Sequence, residues 1–299
     1  VRCVFLCCLG ALLAAAEALP VITGNSLLLD LVQRVGGGRV ASSSLVPAGV
    51  DPHAYQPVPD DLRRLAAARL VVINGLGFEG WFDRLAGEAR FAGSVVVAAS
   101  GIVPLPADPG DAHQHGDHGH APAAVADDPH AFTSARLLVR YTENIREALV
   151  AADPDDAAGH RARAEALISE LRAADAWATE QFAAVPRARR VLVTDHASLA
   201  YLAADYGLRL ITPRTTLDEG QPSARRVAEI VAAVRRAGVS AVFIEAGRNP
   251  RLVEQIASEA GVRVGGRLLV DALDAPGTPG GSAVGAFRQN VETILAGLR

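Results

Sequence analysis

One stretch limits the possible folds more than any other: "PDDAAGHRARAEALISELRAADAWATEQFAAVP", residues 154–186, with a proline at each end. Nothing inside it breaks a helix, and a helix of about 30 residues is ~45 Å long. That exceeds one layer of a small domain and suits a rod joining two lobes. On both sides of it the chain alternates between short apolar runs and amphipathic stretches. Before it, "VIT", "ASSSLV", "LVVI" and "SVVVA" read as strands, separated by helical "NSLLLDLVQRVGGG", "PDDLRRLAAA" and "FEGWFDRLAGEA". After it, "VLVT", "LRLIT", "SAVFIE" and "RLLVD" alternate with "LAYLAADYG", "SARRVAEIVAAVRRAG" and "NPRLVEQIASEAG". Such alternation indicates parallel sheets. The expected fold class is α/β: two lobes of similar size and the same architecture, each a parallel sheet flanked by helices, joined by one long rigid helix. No clear sequence repeat relates the two.

The first 18 residues stand apart. "VRCVFLCCLGALLAAAEA" has an arginine at position 2, an apolar run too short to span a bilayer, and Ala16-Glu17-Ala18. This is the pattern of a cleavable signal peptide, with cleavage expected after Ala18. All three cysteines precede that point, so the mature chain would carry no disulfide and no thiolate ligand. A lipid anchor at Cys7 or Cys8 fits poorly, because too few residues precede them. An exported, periplasmic protein is expected. The domain reading is residues 1–18 signal peptide, 19–152 first lobe, 153–186 linking helix and 187–299 second lobe. All 29 basic residues are arginine, scattered in a chain of net charge −4, so a nucleic-acid partner is not expected.

The first lobe is interrupted at residues 106–127, a stretch of Pro, Asp, Gly, Ala and His without periodicity. Five of the eight histidines fall between positions 113 and 130. His113, His115, His118 and His120 are irregularly spaced in a glycine-rich setting that does not suit a preformed cage. They read as secondary capture of metal, or as a handle for a partner that hands metal over. The plain alternative is a solvated low-complexity loop.

The remaining polar residues fall at strand ends, where open parallel sheets bind ligands. His53 follows the second strand in "DPHAY" and His130 follows the fourth in "DPHAF". His196 lies just past "VLVT", and Asp271 directly follows "RLLV". Three imidazoles and one carboxylate, two residues from each lobe, match a closed tetrahedral zinc site. Each also has an ordinary reading. His53 and His130 could cap turns, His196 could sit beside an Asp195 helix cap, and Asp271 could cap its own turn, with Asp274 its rival. His160, on the long helix, reads as exposed and without a metal role. A catalytic zinc centre is the distant alternative. It needs an open coordination position and a base, the candidates being Glu79 and Glu245, with Glu79 more readily a cap for the helix near Phe78. No H-E-x-x-H motif is present. The protein is not expected to be an enzyme.

In order, "LVPAGVDPHAYQPVPDDLRRLAAARLVVINGLGFEGWFDRL", the His-rich loop with "DPHAF", "VTDHASLAYLAADYGL" and "LLVDALD" resemble the zinc and manganese ABC-transporter substrate-binding proteins (cluster A-I), over essentially the whole mature chain. The resemblance implies two α/β lobes on a long helix and one metal in the cleft, held at positions matching His53, His130, His196 and Asp271. It also implies delivery to an ABC-type membrane permease. Phe132 stands where tryptophan is usual, and the mature chain lacks the cysteines with which some members form a disulfide. His196 in place of a carboxylate favours Zn2+ over Mn2+, which prefers oxygen ligands and higher coordination. A manganese-specific member, or a periplasmic metal buffer or chaperone, is the alternative. A monomer is expected, with a periplasmic metallochaperone as a further partner acting through the His-rich loop.

Overall fold

The computed structural model describes residues 17–53, 55–107, 126–214 and 222–299. The first half opens with β1 (Leu19–Thr23), α1 (Ser26–Gly36), β2 (Val40–Ser44), α2 (Pro59–Ala67), β3 (Leu70–Ile73), α3 (Phe82–Glu88) and β4 (Ser94–Val97). These strands form one parallel sheet in the order β2-β1-β3-β4. Asn25 caps α1, its side chain accepting from Leu28 N at 3.0 Å. Two longer helices follow, α4 (Ala135–Ala152) and α5 (Ala157–Ala183).

The second half contains β5 (Val191–Val193), α6 (Ala200–Tyr206), β6 (Arg209–Ile211), α7 (Ala224–Ala237), β7 (Ala241–Glu245), α8 (Arg251–Ala260), β8 (Arg263–Leu268) and α9 (Ala283–Leu298). The expectation of matched halves fails in detail. Among the described residues this half has two parallel pairs, β5-β6 and β7-β8, rather than one four-stranded sheet. β5 and β6 are only three residues long, which leaves little ladder to extend. Side chains supply the continuity: Val191, Val193, Ile211 and Val242 share one apolar cluster with Val227 and Ile230 of α7 and Ile256 of α8.

The long helix is present at 27 residues, ~40 Å at 1.5 Å per residue. Its buried positions, His160, Ala164, Leu167, Ile168, Leu171, Ala174, Ala178 and Phe182, recur every three or four residues. That stripe contacts α1 and α4 of the first half, then α6 and α9 of the second. Phe182 stacks on Tyr206 with centroids 5.1 Å apart. The helix is thus a spine that shares its core with both halves.

His160 corrects the reading from sequence: its side chain is fully buried, not exposed. Its Nδ1 faces Val35 O at the end of α1, and its Nε2 lies 3.2 Å from Asp153 Oδ2. Arg39 grips the same Asp153 through two nitrogens, and Arg163 pairs with Asp156. These carboxylates are already matched by guanidinium groups, so the cluster is a charged knot tying three helix ends together and not a cation cradle.

Candidate metal centre

Each half contributes two residues to one point. On the first-half side, the loop after β2 carries Asp51-Pro52-His53, and the segment before α4 carries Asp128-Pro129-His130. The two motifs share one geometry. The amide of His53 donates to Asp51 Oδ1 at 2.9 Å, and the amide of His130 donates to Asp128 Oδ1 at 2.9 Å. An aspartate two residues upstream therefore fixes the backbone of each histidine. The repeated "DPHA" is a device for aiming an imidazole.

Further contacts hold both loops. Trp81 Nε1 donates to Pro52 O at 3.2 Å. Asn74 Nδ2 donates to Pro129 O at 2.9 Å, and Asn74 Oδ1 accepts from Tyr141 at 2.7 Å. Phe78 meets the His53 ring edge-on at 4.7 Å. Glu79 does not cap the following helix, as expected from sequence. Its carboxylate accepts the amides of Asn74 and Gly75 at the end of β3, where complete burial pushes its pKa up to about 7.

In the second half, His196 follows β5 and Asp271 lies three residues beyond the end of β8. The sequence placed Asp271 directly after a strand "RLLV"; the strand begins earlier and ends at Leu268. Two glycines hid its start. A Cβ on Gly265 would come within 2.7 Å of the Phe243 ring, so only glycine lets β8 pass that buried side chain. Asn290 secures the strand exit by donating to Leu269 O and accepting from its amide.

The four side chains converge. One candidate ligand atom from each of His53, His130, His196 and Asp271 lies within 4.8 Å of every other. His53 Nε2 is 3.1 Å from His130 Nε2, and Asp271 Oδ1 is 3.4 Å from His130 Nε2 and 3.8 Å from His53 Nε2. A tetrahedron of zinc–nitrogen bonds has edges of about 3.3 Å, so these spacings suit an ion at the centre. His196 Nε2 and Asp271 Oδ1 are buried with no hydrogen-bond partner. Orphaned polar atoms gathered in one buried cluster need a cation or a proton to satisfy them.

Carboxylates orient the imidazoles from behind. Asp128 Oδ1 holds His130 Nδ1 at 2.8 Å. Glu245 Oε2 lies 2.8 Å from His196 Nδ1, at ion-pair distance, while its Oε1 accepts the His196 amide. Ser198 Oγ donates to the same carboxylate. With its Nδ1 engaged by Asp128, His130 turns Nε2 inward for a ligand. Burial disfavours a charge on His130, yet the Asp128 carboxylate bonded to its Nδ1 and the Asp271 carboxylate 3.4 Å from its Nε2 prevail and raise its pKa to about 9. Burial, helped by the neighbouring His130 and His196, pushes His53 down against the pull of Asp271 and Asp51. Asp271, although buried, is held well below the usual carboxylate range by His130 and the neighbouring imidazoles. In the empty cluster a proton on His130 balances the charge of Asp271, in the place where a cation would sit.

The expected residues thus gather as a set, while Asp274 does not join them; it pairs with Arg267 at 2.7 Å. Glu245 is no free base but the support of His196. Asp195 is no helix cap; it is buried and paired with Arg214 and Arg248. His113, His115, His118 and His120, with the rest of residues 108–125, lie outside the described residues. Sequence reasoning missed Asp51 and Asp128 as orienting groups, although their signal was visible in the doubled "DPHA".

Parallel α/β halves on a helical spine, meeting at a cluster of three imidazoles and one carboxylate that could hold a metal ion, are the parts of a two-sided binding protein. The chain belongs to the family described as zinc-uptake complex component A, periplasmic, whose model matches residues 21–297. It is 30% identical to the iron-binding protein YfeA of Yersinia pestis over 94% of this chain and 87% of that one. It is 29% identical to the manganese-binding lipoprotein MntA of Halalkalibacterium halodurans, over 94% and 89% of the two chains. Among solved structures, the periplasmic zinc-binding protein TroA of Treponema pallidum superposes with TM-score 0.84 at 26% identity, covering 94% of this chain and 99% of that one. The chain is a metal-binding substrate-binding protein of ABC transport, acting with permease components outside the cytoplasm, and not an enzyme.

Proposed function

We propose that this protein captures Zn2+ in the cleft between its two lobes, through His53, His130, His196 and Asp271, and delivers it to an ABC-type permease. The observation that carries this reading is the donor set: three nitrogens and one oxygen, from three buried side chains and the half-buried His53, with two of the atoms orphaned. Hard cations such as Mn2+ prefer more oxygens and a higher coordination number. The relatives named for manganese and iron keep a second reading open, a manganese-type member of the family. Titration of the purified chain with Zn2+ and Mn2+ against a chelator decides between them. Zinc is expected to bind more tightly, with one tight equivalent; a chain that prefers manganese rejects the zinc assignment.

The division into a first lobe at 19–152, a linking helix at 153–186 and a second lobe at 187–299 belongs to this proposal, as do cleavage after Ala18 and a monomeric state. A stand-alone metal buffer or chaperone would bind zinc equally well but would not support uptake through a permease.

Two further expectations follow from the parts around the centre. Glu245→Gln removes the anion behind His196 while keeping its shape. Zinc affinity is expected to fall about 10–100-fold, the usual cost of losing an orienting partner. Chelator competition at pH 7 measures this; an unchanged affinity would mean that His196 needs no support. Deleting residues 111–121 removes His113, His115, His118 and His120 but none of the proposed ligands. The tight zinc equivalent is expected to remain and weaker equivalents to vanish in calorimetric titration. We assign the segment to secondary capture and to transfer from a periplasmic metallochaperone; loss of the tight site on deletion would make one of its histidines a primary ligand.

A further inference from the structure

The stretch that carries His130 is held from both halves at once. Tyr201, on α6 of the second half, is 4% exposed. Its hydroxyl donates to Asp128 O at 2.7 Å and accepts the amide of Leu105 at 2.9 Å. The amide of Asp128 donates in turn to Leu105 O at 2.8 Å, so the three residues close a small ring of hydrogen bonds. That ring adjoins a short antiparallel pairing, in which Pro106 faces Asp127 and the amide of Ala107 donates to Ala126 O. One turn further along α6, Asp205 accepts from Ser134, the cap of α4, and pairs with Arg136 at 2.8 Å. The carbonyl after Asp128 is held from the opposite side: Pro129 O accepts from Asn74 of the first half at 2.9 Å. Two consecutive peptide groups thus answer to different halves, and His130 follows them directly.

We propose that Tyr201 is a positioning residue that couples His130 to the second half, so that separation of the halves draws support from His130 and speeds release of the metal. The inference rests on the metal-centre reading above. Asp128 is the part through which Tyr201 acts. Its Oδ1 fixes both the amide and the Nδ1 of His130, while its backbone carbonyl carries the Tyr201 contact. A shift of that peptide moves the carboxylate, and the carboxylate moves the imidazole. A phenol suits the task, because one hydroxyl both donates and accepts and so binds two backbone groups at once. Burial pushes its pKa up to about 12, so it keeps the proton that it donates. Asn74 gives the opposing hold: with Pro129 O fixed to the first half, the segment cannot simply follow α6, and any parting of the halves is felt at the peptide between the two anchors.

The test uses Zn2+ alone on the full mature chain. Stopped-flow release of zinc into excess chelator is compared for the wild type, Tyr201→Phe and Tyr206→Phe. Tyr206 is the control: it is a second buried tyrosine of α6, and its hydroxyl donates to Asp175 of the spine. Tyr201→Phe is expected to speed release about 2–10-fold, the worth of one neutral hydrogen bond. Tyr206→Phe is expected to leave the release rate unchanged, although both variants lower the melting temperature of the metal-free chain. Release from Tyr201→Phe no faster than from Tyr206→Phe would overturn the proposal, since Tyr201 would then only pack the core. Amide hydrogen exchange on the wild type needs no folded variant: zinc should slow exchange at the amides of Leu105 and Asp128, and unaltered exchange there also overturns the proposal. A wild type with no tight zinc at all rejects the metal-centre reading itself, so the two failures are distinguishable.

Discussion

Asp271→Ala is expected to weaken zinc binding roughly 10²–10³-fold, the effect of removing one member of a buried charge pair. It is the only carboxylate in the four-residue cluster, it is 4% exposed, and its charge offsets half that of the ion. Asp51 and Asp195 are near but are turned toward Arg248, and Asp128 and Glu245 are committed to His130 and His196. None stands ready to replace it. Asp271→Asn keeps the shape and loses the charge, so it is expected to bind poorly as well. Asp274→Ala, three residues away, removes a partly exposed ion pair to Arg267 and should change affinity by no more than about twofold. Chelator competition on the three variants measures all of this. A silent Asp271→Ala beside a damaging Asp274→Ala would move the fourth ligand.

Acidification is expected to have an effect at least as large. A cation binds imidazole only in its neutral form, so every proton held by the empty site must leave when metal enters. His130, raised to about 9 in the empty site, is protonated throughout the neutral range. Affinity therefore loses one decade per pH unit through His130 alone as pH falls below about 9, or about two decades between pH 7 and pH 5. His53, depressed by burial, joins only at more acid pH and steepens the fall. Asp271, held low, stays ionised across the range and adds nothing to the slope. Zinc affinity measured at half-unit steps from pH 9 to pH 5 tests the sign and slope. A flat profile would contradict a site built on histidine.

The parts of this centre that were legible in the sequence are those set by strand-end position. His196 follows the buried strand β5, while His53 and His130 lie on the segments after the edge strands β2 and β4, and parallel strands deliver their exits to one edge. The spine was legible because 27 helical residues run without a breaker between two prolines. What escaped was set by neighbours distant in sequence. The start of β8 was hidden because its glycines are explained only by Phe243, on the adjacent strand. His160 was misplaced because the groups that enclose it, Val35 O among them, belong to α1 and are far away in the sequence. The split of the second half into two pairs follows from the shortness of β5 and β6, which a pattern of apolar residues does not reveal. The orienting roles of Asp51 and Asp128 are local, and they could have been inferred from a doubled motif that places an acceptor two residues before each histidine.

The central claim is that a single divalent cation sits among the Nε2 atoms of His53, His130 and His196 and a carboxylate oxygen of Asp271. Crystals of the mature chain grown with zinc, with diffraction recorded on both sides of the zinc absorption edge, test it directly. The account predicts one strong anomalous peak about 2.0–2.2 Å from those four atoms. A peak bonded to other residues, or none at this cluster, would contradict it.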